Sequence, residues 1–345
     1  DIVAFKDYAN TWDTNKVTVG RGGSKINGVC EDAVLVTESQ SVTLIYVDGT
    51  KGWQDIHDST SNVTGASFIA ACGGNATVTC GDFKTHIFTS SGTFAVSAIA
   101  SCSSLNVVDY MIVGGGASGG TGRGGGGGAG GFRLFSSAPG NNSPLSAPAG
   151  STVSVASFPI VVGAGGAARP FPPAEAGNSG SVSSFNSISS AGGGGGGAGP
   201  GSTNALDGGS GGGGNFNVPG DQGAGNVPPV SPPQGSPGGL GSAAPESPPG
   251  RHGGGGGGAG AQGVDENGGA GSYIANPFVG PTAPSYGTTG PVTPTRYFAG
   301  GGGAGFEASG SGSGGAGGGG AGGNTGPGTA GTTNTGGGGG ATGEN

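Results

Sequence analysis

Short runs of β-branched and aromatic residues alternate with turn residues over the first third of the chain. No stretch there carries the 3.6-residue period of an amphipathic helix. Val17-Thr18-Val19 alternates and then meets the turn-rich Gly20-Arg21-Gly22-Gly23. Ala33–Thr37 and Val42–Val47 flank Glu38-Ser39-Gln40, which reads as a hairpin. Asp48-Gly49 marks the next turn, Lys51–Ile56 the returning strand, and Trp53 a ring packed on that sheet. Thr85–Thr89, Thr93–Val96 and Val107–Val113 are the next predicted strands, with Gly92 punctuating the first two. The last of these runs straight into Gly114-Gly115-Gly116, so a hydrophobic strand feeds the region that follows.

Beyond residue 112 the apolar positions thin into isolated patches: Phe132–Phe135, Val153–Val162, Val182–Ile188, Tyr273–Val279 and Tyr297-Phe298. Val153–Val162 is long enough for a strand, and Pro159 pushes it to a sheet edge or a bulge. Residues 226–250 are rich in proline and read as exposed, stiff connecting loops. Composition shifts at the same point. Residues 1–112 hold all four cysteines, both tryptophans, all five lysines and no proline; residues 113–345 hold every proline and 80 of the 91 glycines. Three segments follow: a small β module at 1–58, a cysteine-bearing β region at 59–112, and a glycine-rich body at 113–345.

The glycines of the third segment stand in blocks: Gly124–Gly128, Gly192–Gly197, Gly211–Gly214, Gly253–Gly258, Gly300–Gly303, Gly317–Gly320 and Gly336–Gly340. One ordered conformation uses such blocks, the extended helix with three residues per turn and about 3.1 Å rise per residue. Its N–H and C=O groups point outward, so buried copies must bond to neighbouring strands. The expected fold is therefore mainly β with essentially no α-helix: a small sandwich-like N-terminal part, then a bundle of polyglycine II-type helices with interspersed strands. A collagen-like assembly is excluded by the block arrangement, since collagen needs glycine at every third position. A phosphate loop is excluded because no Gly-Lys-Ser/Thr follows any of the runs.

Charge narrows the function. The net charge is −8 with 9% charged residues, and the five arginines after residue 112 are scattered, which speaks against nucleic acid as a partner. No apolar run reaches the roughly 18 residues of a membrane span. The chain opens without an apolar leader, as a mature or partial form would. Four cysteines allow three pairings. Cys72 with Cys80 across a short loop, and Cys30 with Cys102, are favoured over four buried thiols, and disulfides would place the chain outside the cytosol. Asn62, Asn75 and Asn141 open glycosylation triplets. The histidines, His57, His86 and His252, form no catalytic pattern with a nucleophile. Asp48, Asp55 and Asp58 offer carboxylates to a cation but read more readily as solvated loop groups, and Asp265-Glu266 lacks the alternating spacing of a calcium loop. No catalytic, cofactor-binding or metal-binding residue is expected.

Two stretches resemble phage tail-fibre proteins. Lys6-Asp7-Tyr8, Asn15–Val19, Gly23–Gly28, Leu44–Asp48 and Gly52-Trp53 resemble a small β module of phage and marine-virus fibres. His86–Thr89, Gly92-Thr93-Phe94, Val108–Gly116, Gly125–Phe132 and Val161–Gly166 resemble the glycine-rich module of tail fibres and related surface proteins. The resemblance implies a non-enzymatic extracellular or virion-surface fibre subunit that assembles with itself as a trimer or helical filament. It also implies an alternative, an adhesin whose loops meet a host glycan or protein, with Tyr273, Tyr286 and Tyr297 as the aromatic contacts.

Overall fold

Alternating strands that cannot bury both faces alone must pair, and they do so here in small antiparallel sheets. The computed structural model describes residues 1–58, 68–80, 83–100, 103–137, 143–199, 204–218, 220–242, 251–274, 279, 285–307 and 310–343. The fold is mainly β, with essentially no helix beyond a 3-10 turn at Ser103–Leu105. The chain forms two compact units whose membership cuts across the three segments expected from composition. The first gathers Asp1–Cys72, Ala95–Val108 and Thr152–Ala156; the second gathers Gly73–Phe94, Asp109–Ser151 and Ser157–Asn345.

In the first unit, β1 (Ile2–Lys6), β2 (Val17–Val19), β3 (Ala33–Leu35), β4 (Ser41–Asp48) and β5 (Gly52–Asp58) make two sheets. One has the order β1-β4-β5 and the other pairs β2 with β3. Ile26, Ala33, Leu35, Val42 and Leu44 are buried, and Phe5, Trp12, Val17, Val19 and Trp53 pack on them. Trp53 lies on its sheet as expected, edge-on to Tyr46 at 5.5 Å. The expected hairpin across Glu38-Ser39-Gln40 does not form, because β3 pairs with β2 while β4 pairs with β1 and β5. The reason is Asp7. Its carboxylate accepts N–H bonds from Thr11, Trp12 and Ser39, and its own N–H donates to Gln40 O. This fastens the 37–40 turn beside β1 and sends the chain from one sheet to the other.

The second unit is organised around one rod, residues 124–131. The N–H groups of Gly125, Gly128 and Gly131 donate to Gly197, Gly194 and Ala191. Those of Gly126 and Ala129 donate to Gly254 and Gly257, and those of Gly127 and Gly130 to Gly339 and Gly336. Its carbonyls accept with the same period: from Gly120, Ala117 and Gly114; from Gly213 and Ser210; and from Gly305 and Gly302. All of these bonds are 2.8–3.0 Å long. Partners that rotate every third residue require a three-residue turn. Six rods therefore surround this one, three receiving its N–H bonds and three supplying bonds to its carbonyls. The 253–258 run repeats the rule, bonding to 305 and 302, to 214 and 211, and to 265 and 261. The expected polyglycine II-type bundle is thus the body of this unit.

The close approach explains the composition. A Cβ on Gly126 would lie 2.0 Å from Gly302 O, one on Gly130 2.0 Å from Gly114 O, and one on Gly196 1.9 Å from Gly125 O. Outer rods differ. In 163–166 and 177–180, glycine is needed at every third position, Gly163 and Gly166, and Gly177 and Gly180; in 235–241 the same holds for Gly235, Gly238 and Gly241, with Gly239 also crowded at 2.9 Å from Asp265 O. Ala164, Asn178, Ser179, Ser236, Pro237 and Leu240 stand between them. The every-third spacing that the glycine blocks seemed to exclude is therefore present, at the periphery. One end of the bundle is closed by an apolar cluster of Ala129, Phe132, Leu134, Ile274, Val279 and Phe298. The Phe132–Phe135 strand there pairs with Tyr110–Val113, and Ser272–Ile274 pairs with Arg296–Phe298.

Two predictions follow from these contacts. Gly126→Ala is expected to lower the thermal midpoint sharply, because a methyl driven into a main-chain carbonyl costs about 1–3 kcal/mol or more. Gly339→Ala, whose nearest contact would be 3.6 Å away, is expected to leave the midpoint unchanged or slightly raised. Equal losses in calorimetry would contradict the packing described. For Asp7, burial acts to raise the pKa, but N–H bonds from Trp12, Thr11, Ser39 and Asn10 outweigh it and hold the carboxyl below its ordinary value. Its stabilising effect is present above the unfolded pKa and is lost as pH falls through the folded one. Asp7→Asn is expected to destabilise the protein at neutral pH and to match the native chain in strong acid, as followed by urea unfolding.

Candidate functional site

Hydrogen-bond register places a set of polar turns at the bundle end opposite the apolar cluster. The 114–120 rod reaches this end at Gly120, bonded to Gly125; 210–214 reaches it at Gly214, bonded to Gly254; and 302–305 reaches it at Gly305, bonded to Gly124. The turns that follow, at Thr121–Gly124, at residues 215–218 with Asp221, and at Phe306-Glu307, therefore meet here. Arg123 ties them together. It is buried, with its backbone at a φ of 60°, and its N–H donates to Thr342 O. Its guanidinium lies 4.4 Å from the Phe216 ring centroid and 3.0 Å from Glu307 Oε1. A cation held between an aromatic face and a carboxylate is favourable when desolvated, so this group clamps three turns at once.

The neighbouring turns are fixed by local polar bonds. Asn215 Oδ1 accepts from the Asn217 and Val218 N–H groups, an arrangement that presents Asn217 exposed. Asp221 is buried and its Oδ2 accepts from Asn215 N–H at 3.0 Å. Thr121 Oγ1 accepts from Glu175 N–H at 2.7 Å, bringing the 167–176 turn to the same end. Arg169 and Glu175 pair on its surface at 3.1 Å. His252 is buried, stacked on Phe306 at 5.2 Å, with Nδ1 2.8 Å from Gly253 O. Such an arrangement presents polar loop groups on a rigid base.

The residues singled out from sequence are scattered. Tyr273 and Tyr297 are strand residues facing each other at 5.4 Å, not loop tips. Tyr297 is 4% exposed, and its hydroxyl accepts from Val292 N–H. Tyr286 packs against the apolar cluster. Tyr297 is thus buried, while Tyr273 and Tyr286 are half-buried, and all three lie near the apolar end of the bundle. Asn75 is exposed, and its Oδ1 accepts from Thr89 and Ser90 N–H, so it caps a turn. Asn62 and Asn141 lie outside the described residues. Cys72 is an exposed free thiol and Cys30 is half-buried. The side chains of Cys80 and Cys102 lie outside the described residues, and with them both expected pairings. His86 Nδ1 stands 2.8 Å from Gly73 O beside Phe94, while the His57 side chain lies outside the described residues. Arg123 had a legible signal, as the one charged residue between Val113 and Phe132.

Burial raises the pKa of Asp221, against the N–H bonds from Asn215 and its own backbone that lower it. A raised folded pKa means that the folded chain holds its proton more tightly, so this group's contribution to stability falls as pH climbs through the ordinary carboxylate range to the folded value. Asp221→Asn preserves an acceptor for Asn215. The variant is expected to be at least as stable as the native protein near neutrality, with the difference vanishing below about pH 3. Thermal midpoints measured across that range check this, and a native protein that gains stability relative to the variant on ionisation would contradict it.

No curated protein and no solved structure matches the chain. A family model described as a glycine-rich domain matches residues 89–345, which take in the rods, the apolar cap and the polar turns. With three-quarters of its length inside that match and a body built from backbone-bonded glycine rods, the chain belongs to the glycine-rich domain family.

Proposed function

We propose that this chain is a non-enzymatic structural subunit of an extracellular or virion-surface fibre, similar in kind to phage tail-fibre proteins, that assembles with itself as a trimer or helical filament. The supporting observation is the central rod, whose main-chain groups bond on six sides. A body made this way is stiff, because bending it breaks rows of bonds in several directions at once. It also needs few charged or large apolar side chains, in keeping with the composition. Such a body suits a load-bearing role better than one that requires movement. The reading involves no cofactor, nucleic acid or membrane insertion.

A second reading, an adhesin that meets a host-surface glycan or protein, is favoured by the gathering of polar turns at one end. Exposed Asn217 and the Arg169–Glu175 pair, not the tyrosines, are then the contact residues. Electron microscopy of the native assembly separates the two. The fibre reading expects repeating subunits along an axis. The adhesin reading expects a terminal particle whose attachment to cells falls when Asn217 and Arg169 are replaced by Ala. A chain that stays monomeric and binds no cell overturns both, as does hydrolysis of a polysaccharide.

A further inference from the structure

Among the described residues, the rods that surround 191–197 leave one lattice position unfilled. Around it stand 124–131, 114–120, 177–180, 206–209 and 210–213, each bonded to it. Gly193 and Gly196 donate to Gly115 and Ser118, and Gly194 and Gly197 donate to Ser210 and Gly213. The third donor direction belongs to Gly192 and Gly195, and among the described residues neither N–H meets an acceptor. Around a threefold rod, donor and acceptor directions alternate, so these two N–H groups point between the 177–180 and 206–209 rods. A groove of about 350 Å³ opens beside that position, lined by Arg169, Glu175, Gly177, Asn178, Ser179 and Leu206; Gly192, half-buried, and Gly195, buried, are not part of its lining.

The groove has a readable chemistry. Two buried or half-buried donors separated by three residues stand about 9.3 Å apart along an extended threefold rod. A β-strand repeats its same-side groups at about 6.6–6.8 Å and cannot meet both. A peptide in the three-residue-per-turn conformation carries carbonyls at the matching interval. Its floor-facing residue must be glycine, since a Cβ at the equivalent positions of the neighbouring outer rods, Gly177 and Gly180, would lie 2.0 and 1.9 Å from the carbonyl below. The other two residues of each turn face the walls and solvent, where Ser179 and Leu206 are exposed.

We propose that this groove binds an extended segment of a partner protein carrying glycine at every third position, which completes the ring of rods around 191–197 by accepting hydrogen bonds from Gly192 and Gly195. A partner strand is favoured over a second copy of this chain because the chain's own rods are already bonded into their bundle. The proposal is independent of whether the subunit forms a fibre.

Amide hydrogen exchange and chemical shifts of the full chain test it, with a soluble Gly-Ser-Pro repeat peptide of about ten residues as probe. In the protein alone, Gly192 and Gly195 are expected to exchange at least about tenfold faster than Gly193 and Gly194. The peptide is expected to slow and shift those two amides, and an Ala-Ser-Pro repeat of equal length to leave them unmoved. Ser179→Trp, which fills the groove from an exposed wall position, is expected to weaken peptide binding at least about tenfold. Ala330→Trp, on another exposed rod, is expected to leave it unchanged. Slow exchange at Gly192 and Gly195 in the protein alone, from self-association or any other cover, overturns the proposal. So do equal binding of the two peptides and a Ser179→Trp variant that binds normally.

Discussion

The main-chain hydrogen bond between neighbouring rods is the interaction on which the second unit depends. An extended threefold helix satisfies none of its own polar groups, so a buried rod is tolerable only when every neighbour stands in register. Each bond contributes roughly 1 kcal/mol net, while a buried group left without a partner costs about 1–3 kcal/mol. The asymmetry makes the arrangement cooperative. Displacing one rod orphans donors and acceptors on several others, and the bundle is specified as a whole. Dispersion between backbones adds to this, since rods without side chains can make direct backbone contact on several sides at once.

This constraint assigns a meaning to block length. A rod enclosed on six sides has no direction left for a Cβ, and 124–131 is accordingly all glycine apart from Ala129, whose methyl enters the apolar cluster. A peripheral rod is enclosed on part of its circumference and needs glycine only where it faces inward. Gly163 and Gly166 are required, whereas a Cβ on Gly165 would come no closer than 3.5 Å to Gly116 O. The glycine pattern is thus a record of depth. Collagen and this bundle obey the same steric rule and differ in how many sides of the rod are enclosed.

The two ends of the bundle follow from what remains once the rods are placed. Apolar patches too short to form a core of their own gather where strands interrupt the glycine, and Phe132, Leu134, Ile274 and Phe298 close that end. At the other end the turns are polar, and Arg123 ties its own turn to two others through Phe216 and Glu307, and to the end of the last rod through Thr342. Gln234 does comparable work in the proline-rich segment. It is buried, its Nε2 donates to Pro228 O, and its Oε1 accepts from Ala191 N–H. The first stretch of that segment is therefore pinned to the rods at Ala191 and does not run free as a connector. A stiff body with one apolar end and one polar end is the basis of the proposed fibre role.

Much of this was legible in the residues themselves. Local alternation located the strands, since side-chain period and turn chemistry act over a few positions. The glycine blocks implied rods bonded to one another, since backbone sterics leave glycine-only segments few ordered alternatives. What the sequence did not contain was partnership. Nothing in Glu38-Ser39-Gln40 says that the turn is captured by Asp7, thirty residues earlier, and so the expected hairpin became a crossing between sheets. Tyr273 and Tyr297 looked like loop aromatics until their strands paired. Period and composition are properties of a segment, and by themselves they determined that the chain is β-rich with threefold glycine rods. Which rod lies at the centre, and which end gathers the turns, are properties of register between distant segments, and only the tertiary structure decided them.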